Sequence, residues 1–160
     1  NSAGIIHGGH FQMSPINDIK NVFEINFFSM LEVSQLVSKY MLRKKSGNII
    51  NIASVAGIDL SPGNCAYGTS KAAMIAFSKT LSKELSSYGI KVNVIAPSLT
   101  DTDMAHSKEA KKEREILAEG KNFMRMAKPQ EIADLACFLC SNKSDFINGQ
   151  VIRIDGGNVF

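Results

Sequence analysis

The chain has 160 residues, of which 44% are hydrophobic and 21% charged, and its formal net charge is +3. This size and composition predict one domain with a sizeable core, spanning residues 1–160. The small net charge does not indicate a nucleic-acid partner, and no apolar run approaches the length of a membrane span. Three cysteines do not suggest a disulfide framework, so we expect a cytoplasmic protein.

The first part of the chain passes from turn residues to helical periodicity and then to a strand. Residues 1–16 are rich in glycine, serine and asparagine, which predicts a loop. Apolar residues then recur at helical spacing, which predicts a short helix over about 15–25 and a longer one over about 26–44. The β-branched, apolar run at 48–53 predicts a strand that is buried on both faces, as in a parallel sheet.

The rest of the chain repeats this alternation. Residues 66–88 are rich in alanine, leucine and lysine, which predicts a helix that ends at Gly89, and residues 90–96 predict a second buried strand. The last predicted elements are a charged exposed helix, a further helix and a third strand, at 103–122, 129–141 and 150–154. Alternating strands and helices indicate an α/β fold with a parallel sheet.

A group of polar residues follows the first predicted strand. Ser54 comes directly after that strand, Tyr67 thirteen residues later, and Lys71 four residues after Tyr67. Positions i and i+4 lie on one face of a helix, so the lysine ammonium can favour the tyrosine phenolate. Such a phenol can exchange a proton with a carbonyl or alcohol oxygen. Taken alone, a tyrosine and a lysine at this spacing also occur on helices where they only pack or face solvent.

In order and spacing, these residues and several other segments resemble the short-chain dehydrogenase/reductase family. Residues 1–4, Asn-Ser-Ala-Gly, resemble the Asn-Asn-Ala-Gly turn of that family, and Asn26 stands where the family has a catalytic asparagine. Three further segments match in order, at 93–97, 128–133 and 149–157. Within the family, the sequence segments around Ser54 and Tyr67 are most similar to those of 3-oxoacyl-[acyl-carrier-protein] reductases.

This resemblance implies a Rossmann-like doubly wound parallel sheet, of which the chain would contain the C-terminal part, with three strands visible in the sequence. It also implies a role for each polar residue. Ser54 would orient the substrate oxygen, Tyr67 would be the general acid/base, and Lys71 would lower the pKa of Tyr67 and hold the nicotinamide ribose. Asn26 would hold a water molecule that links Lys71 to solvent.

The cofactor implied by the resemblance is NADP or NAD. The residues that would hold it are Asn1, Ala3, Gly4, Tyr67, Lys71, Pro97, Ser98, Thr100 and Thr102. Ser98 replaces a glycine of the family, and Thr102 could instead cap the helix that follows it. The family's glycine-rich phosphate loop is missing from these residues. We therefore expect the chain to be a portion of a longer protein. We also expect these 160 residues alone to bind a dinucleotide weakly or not at all.

The implied reaction is hydride transfer between the cofactor and a small carbonyl or alcohol substrate, with a carrier-protein-bound acyl chain among the candidates. The resemblance also implies a homodimer or homotetramer, assembled through the helices at 26–44 and 66–88. The alternative that the sequence leaves open is a truncated, catalytically inert paralogue or fragment that acts as an oligomerisation or binding partner.

One pair of histidines could suggest a metal site, and one pair of cysteines could suggest redox chemistry. His7 and His10 lie in a loop without further ligands at suitable spacing, so we expect no metal site there. Cys137 and Cys140 lie within an apolar stretch of a predicted helix. That setting favours packing in the core over redox chemistry.

Overall fold

A three-stranded parallel sheet lies at the centre of the chain. The computed structural model describes residues 1–108, 110–111, 114–115 and 125–157. In spatial order the strands are β1 (Gly47–Ile52), β2 (Ile90–Pro97) and β3 (Val151–Ile154). Both strand pairs are parallel, with Ile49 opposite Val92 and Val94 opposite Val151. The predicted α/β class and its three strands are confirmed.

Helices cover this sheet and carry the loops at its ends. Within the described residues the α-helices are α1 (Ile16–Phe23), α2 (Ser29–Lys44), α3 (Ala56–Asp59), α4 (Cys65–Leu85), α5 (Asp103–His106) and α6 (Pro129–Cys140). A π-helical turn, Glu24–Phe28, joins α1 to α2. Short 3-10 turns are Phe11–Met13, Ser86–Tyr88 and Asn142–Ser144. None of the helices in this described part is long and apolar enough to cross a membrane.

The core lies on both faces of β2. Val92, Ile95 and Ala96 are fully buried, as predicted for a strand covered on both faces. The same prediction is wrong for β1, where Ile49 is buried but Ile50 is only half-buried. The reason is that the face of β1 that carries Ile50 lines an open cavity.

Asn1 lies alongside β1 and is hydrogen-bonded to it. The amino group of Asn1 donates to the Ile50 carbonyl at 2.8 Å, and the Ile52 N–H donates to the Asn1 carbonyl at 3.0 Å. The Asn1 side chain donates to Asn51 Oδ1 at 2.7 Å, and Asn51 Nδ2 donates to Ser78 Oγ on α4 at 2.7 Å. These bonds hold Asn1 beside the carboxyl-terminal half of β1.

The prediction of one continuous helix over 103–122 is wrong, because the helix is interrupted after His106. α5 ends at His106, and Ser107 adopts an extended conformation with ψ 166°. The Ser107 hydroxyl accepts a hydrogen bond from the Ala110 N–H at 3.4 Å, which starts a new turn and does not continue the helix. The last part of the predicted helix, at 116–122, lies outside the described residues.

The interpretation of Cys137 and Cys140 as core residues is also wrong. Both thiols are exposed on α6 in the structure. Within the apolar stretch around them, Leu139 is the residue that reaches full burial. An apolar run in a helix does not specify which of its faces meets the sheet, so the composition of the run was a poor guide to the burial of each residue.

Candidate active site

A cavity of about 950 Å³ opens at the carboxyl ends of β1 and β2. Ligands of open α/β sheets bind at this end of the strands. The predicted site residues that line the cavity are Asn1, Gly4, Ser54, Tyr67, Lys71, Pro97, Ser98, Thr100 and Thr102. Two predicted residues do not line the cavity. Ala3 is exposed to solvent outside it, and Asn26 is fully buried without reaching the cavity surface.

Lys71 and Tyr67 lie one turn apart on α4 and face the same cavity. The Lys71 Nζ is 5.9 Å from the centroid of the Tyr67 ring. The lysine side chain is buried, and its Nζ donates a hydrogen bond to the Ile52 carbonyl at 3.0 Å. Burial lowers the pKa of Lys71 to about 8. The structure therefore holds an ammonium group beside Tyr67, and this ammonium of Lys71 loses its proton just above neutral pH.

This lowered pKa makes stability depend on pH. The native protein loses the Lys71 proton near pH 8, whereas the unfolded chain keeps it up to pH 10.5. Between these values the unfolded state binds more protons, so the free energy of unfolding rises with pH, by on the order of 3 kcal/mol. K71M lacks this term. We expect its stability relative to the wild type to be most favourable below pH 8 and to decline towards pH 10.5.

Urea unfolding of both proteins at several pH values between 7 and 10.5 measures this difference. K79M is the matched control, because Lys79 lies on an exposed face of the same helix. A stability difference between K71M and the wild type that stays constant across this pH range would contradict the expected burial effect.

Ser54 stands where the chain leaves β1. Its Oγ accepts a hydrogen bond from the Ala56 N–H at 3.1 Å, which fixes the oxygen at the cavity wall. The next residue, Val55, donates its N–H to the Pro97 carbonyl at 3.0 Å, so the loop after β1 is tied to the end of β2. The segments that follow β1 and β2 therefore lie side by side at the cavity.

Asn26 occupies the π-helical turn and binds neighbouring protein groups. Its Oδ1 accepts from the Ile5 N–H at 2.8 Å, and its Nδ2 donates to the Ile5 carbonyl at 2.9 Å and to Ser70 Oγ at 3.1 Å. Single π turns are frequent at functional sites. Because the amide of Asn26 is engaged with Ile5 and Ser70, its side chain links the loop after Gly4 to α4.

Ser70 is a buried residue beside the candidate site whose contacts sequence reasoning missed. It is fully buried, accepts the bond from Asn26, and donates its own hydroxyl to the Tyr67 carbonyl at 2.7 Å. A hydroxyl residue directly before Lys71 was visible in the sequence. Helical spacing alone could not show that this hydroxyl faces Asn26, because their meeting depends on how α4 packs against the π turn.

Gly57 and Gly68 bring α3 into backbone contact with α4. A Cβ at Gly57 would lie 2.8 Å from the backbone N of Ala72, and a Cβ at Gly68 would lie 2.8 Å from the carbonyl O of Ala56. Distances this short are not found for real Cβ atoms, so glycine is required for the observed approach. This contact also escaped sequence reasoning, although both glycines lie between Ser54 and Lys71.

The two walls of the cavity differ in what they offer a cofactor. On one side, a Cβ at Gly4 would lie 3.4 Å from Lys71 Nζ, so the missing side chain leaves the approach to this ammonium open. On the other side, Thr100 and Thr102 bring hydroxyl oxygens to the cavity. The Thr102 hydroxyl donates to the Thr100 carbonyl at 3.2 Å and does not cap α5. An ammonium and hydroxyl groups are donors of the kind that can hydrogen-bond the ribose and carboxamide of a nicotinamide cofactor.

Comparisons with known proteins agree over nearly the whole chain. The family model described as "Enoyl-(Acyl carrier protein) reductase" matches residues 1–158. A 3-oxoacyl-[acyl-carrier-protein] reductase FabG of Chlamydia muridarum is 40% identical over 157 residues, which are 98% of this chain and 63% of that protein. The chain thus spans less than two thirds of the length of this curated relative.

Solved structures are similar as well. A 3-oxoacyl-[acyl-carrier protein] reductase from Brucella melitensis is 33% identical with a TM-score of 0.87, over 98% of this chain and 60% of that one. A 4-hydroxyisoleucine dehydrogenase mutant complexed with NADH and succinate is 29% identical with a TM-score of 0.89, over 98% and 65%. Given the family match and this shared fold, the chain belongs to the short-chain dehydrogenase/reductase family.

Proposed function

We propose that the protein is an NAD(P)-dependent oxidoreductase that interconverts a ketone and a secondary alcohol. The observation that carries this proposal is that Ser54, Tyr67 and Lys71 line one cavity, with the Lys71 Nζ 5.9 Å from the Tyr67 ring centroid. A hydroxyl, a phenol and an ammonium in one cavity can together handle the proton of a carbonyl-to-alcohol reaction. The family resemblance favours this enzyme over the inert paralogue.

Each residue has a distinct task in the proposed reaction. In the direction of reduction, Ser54 hydrogen-bonds the substrate carbonyl oxygen and Tyr67 donates its phenolic proton to that oxygen. Lys71, cationic below a pKa of about 8, favours the phenolate that results. A bound nicotinamide cofactor supplies or accepts the hydride. In the direction of oxidation, Tyr67 takes the proton back from the alcohol.

A 3-oxoacyl thioester is the substrate class we propose. Relatives named as 3-oxoacyl-[acyl-carrier-protein] reductases recur among the similar proteins and structures. The cavity also has apolar walls that suit an acyl chain, formed by Val55, Leu99, Met104, Ile132, Ala133 and Ala136. A 4-hydroxyisoleucine dehydrogenase shares the fold, so small hydroxy acids are the alternative class.

An assembly of two or four copies stays part of the proposal. The outer face of α2 exposes Val33, Leu36 and Tyr40 at helical spacing, which is consistent with a helix that packs against another copy.

The proposed function is tested by reduction of acetoacetyl-coenzyme A with NADPH or NADH, using the natural full-length polypeptide that contains these residues. We expect turnover with one of the two cofactors, measured as the loss of absorbance of the reduced nicotinamide. Oxidation of 4-hydroxyisoleucine with NAD serves as the comparison substrate. Cofactor binding without turnover of either substrate would contradict the proposed reaction.

A further inference from the structure

An arginine on β3 joins two carboxylates at the edge of the cavity. The Nη1 and Nη2 of Arg153 donate to Oδ1 and Oδ2 of Asp59 at 2.8 and 2.9 Å, and its Nε donates to Asp155 Oδ2 at 2.6 Å. The side chains of Arg153, Asp59 and Asp155 are 34%, 25% and 13% exposed. A two-point guanidinium–carboxylate pair fixes orientation as well as distance. We call these three residues the arginine clamp.

The arginine clamp connects opposite edges of the sheet. Asp59 is the last residue of α3, in the segment between Ser54 and Tyr67, and it lines the cavity. Arg153 lies on β3, which is separated from β1 by β2 and is 94 residues from Asp59 in sequence. The clamp therefore crosses the carboxyl end of β2 and anchors α3 to the far strand.

The backbone beside the clamp is in an unfavourable conformation. Leu60, directly after Asp59, has φ 47° and ψ 62°, which is the left-handed region that residues with a Cβ rarely adopt. Such a conformation persists when surrounding contacts hold the chain on both sides of it. The bond from Arg153 to Asp59 is such a contact, and it lies immediately before the strained residue.

The position of α3 affects the residues of the proposed reaction. The backbone of α3 touches α4 at Gly57, where a Cβ would lie 2.9 Å from the Cβ of Lys71. The Gly57 N–H also donates to the Ser54 carbonyl at 3.0 Å. A displacement of Asp59 would be passed along this short helix to Ser54 and to the backbone that carries Lys71.

We propose that Arg153 is a positioning residue: through Asp59 it holds the segment 54–64 so that Ser54 and Lys71 keep their places at the cavity. This inference rests on the proposed function, because the effect of positioning is expressed in that reaction. Arg153 itself needs no contact with the substrate. A lysine at this position would keep the charge but lose the two-point geometry.

Hydrogen exchange tests the anchoring without any assay of activity. In R153M, the amides of Gly57, Ile58 and Asp59, which bond within the turn after β1, should exchange about three- to tenfold faster than in the wild type. The amides of β2 should keep their rates. D59N, a smaller change at the same pair, should produce the same pattern. Unchanged exchange at these three amides in both variants would overturn the proposal.

Kinetics test the positioning role. We expect R153M to lower kcat by about tenfold or more and to leave the KM for the cofactor unchanged, because misplacement of reacting groups acts on the chemical step. R153K should fall between R153M and the wild type. The double variant D59N/R153M should show a kcat little lower than that of either single variant, because both substitutions remove the same interaction between Arg153 and Asp59.

The control for these variants is D145N. It removes the 3.1 Å ion pair between Asp145 and Lys91 at the opposite end of the sheet, and should leave kcat unchanged. Faster exchange in R153M with an unchanged kcat would overturn the positioning role while leaving the proposed function intact. If the wild type shows no turnover, the proposed function fails, and the exchange rates still decide whether Arg153 anchors the segment.

Discussion

Replacing Tyr67 by phenylalanine should reduce kcat by about 10²- to 10⁴-fold, the range that a general acid/base contributes. The substitution removes the phenolic oxygen, which is the proposed proton donor, and keeps the ring beside Lys71. The half-buried ring should pack as before, so the change falls on the reaction more than on folding. Steady-state rates of acetoacetyl-coenzyme A reduction at saturating cofactor measure the effect.

Two measurements separate this loss from a general disturbance. Titration of the reduced cofactor that supports turnover, followed by its fluorescence, should give a dissociation constant for Y67F within a few-fold of the wild type. Y88F is the matched variant, because Tyr88 is a partly exposed tyrosine in the turn that follows α4 and does not line the cavity. It should keep full activity. Turnover of Y67F within a factor of a few of the wild type would remove Tyr67 from the mechanism.

Replacing Gly57 by alanine should destabilise the protein by about 1–3 kcal/mol, the usual effect of overpacking. The added methyl group would meet the backbone N of Ala72 and the backbone C of Lys71 at 2.8 Å. Backbone atoms within α4 cannot move aside singly, so α3 and α4 must separate. Because Ser54 and Lys71 lie on the two separating parts, we also expect a lower kcat. Urea unfolding and steady-state kinetics measure the two effects.

G47A is the matched control for this prediction. A Cβ at Gly47 would also meet a close neighbour, but that neighbour is the side chain of Met41. A flexible methionine can change its rotamer, so the loss of stability should be smaller, and Gly47 lies at the start of β1, at the opposite end of that strand from Ser54. Equal losses in G57A and G47A would show that the helix contact is not as rigid as the structure indicates.

Local sequence patterns were sufficient for most of the elements. The β-branched runs that became β1 and β2 have few alternatives as regular structure, and the alanine-rich stretch before Gly89 became α4 and its terminal turn. Gly89 ends that turn with φ 70°, a conformation that glycine adopts without strain. Where the pattern was less specific, as in the charged region after Asp103, the continuous helix that was predicted is interrupted at Ser107.

The candidate site was predictable where its geometry is local. Tyr67 and Lys71 are one helical turn apart whatever surrounds them, so their spacing alone placed both side chains on one face of α4. Ser54 follows a strand, and the ends of parallel strands share one edge of the sheet. The family resemblance added Asn26, whose distance in sequence gave no physical reason to expect it beside α4.

The sequence by itself determined the strands, the helix that carries Tyr67 and Lys71, and the order of the α/β fold, because local periodicity and residue preferences indicate these elements. Only the tertiary structure decided that Ser70 meets Asn26, that Gly57 touches the backbone of α4, and that Arg153 binds Asp59 across β2. Each of these contacts joins distant residues. Their existence depends on how the elements pack, and packing is decided by the shape and burial of the whole core.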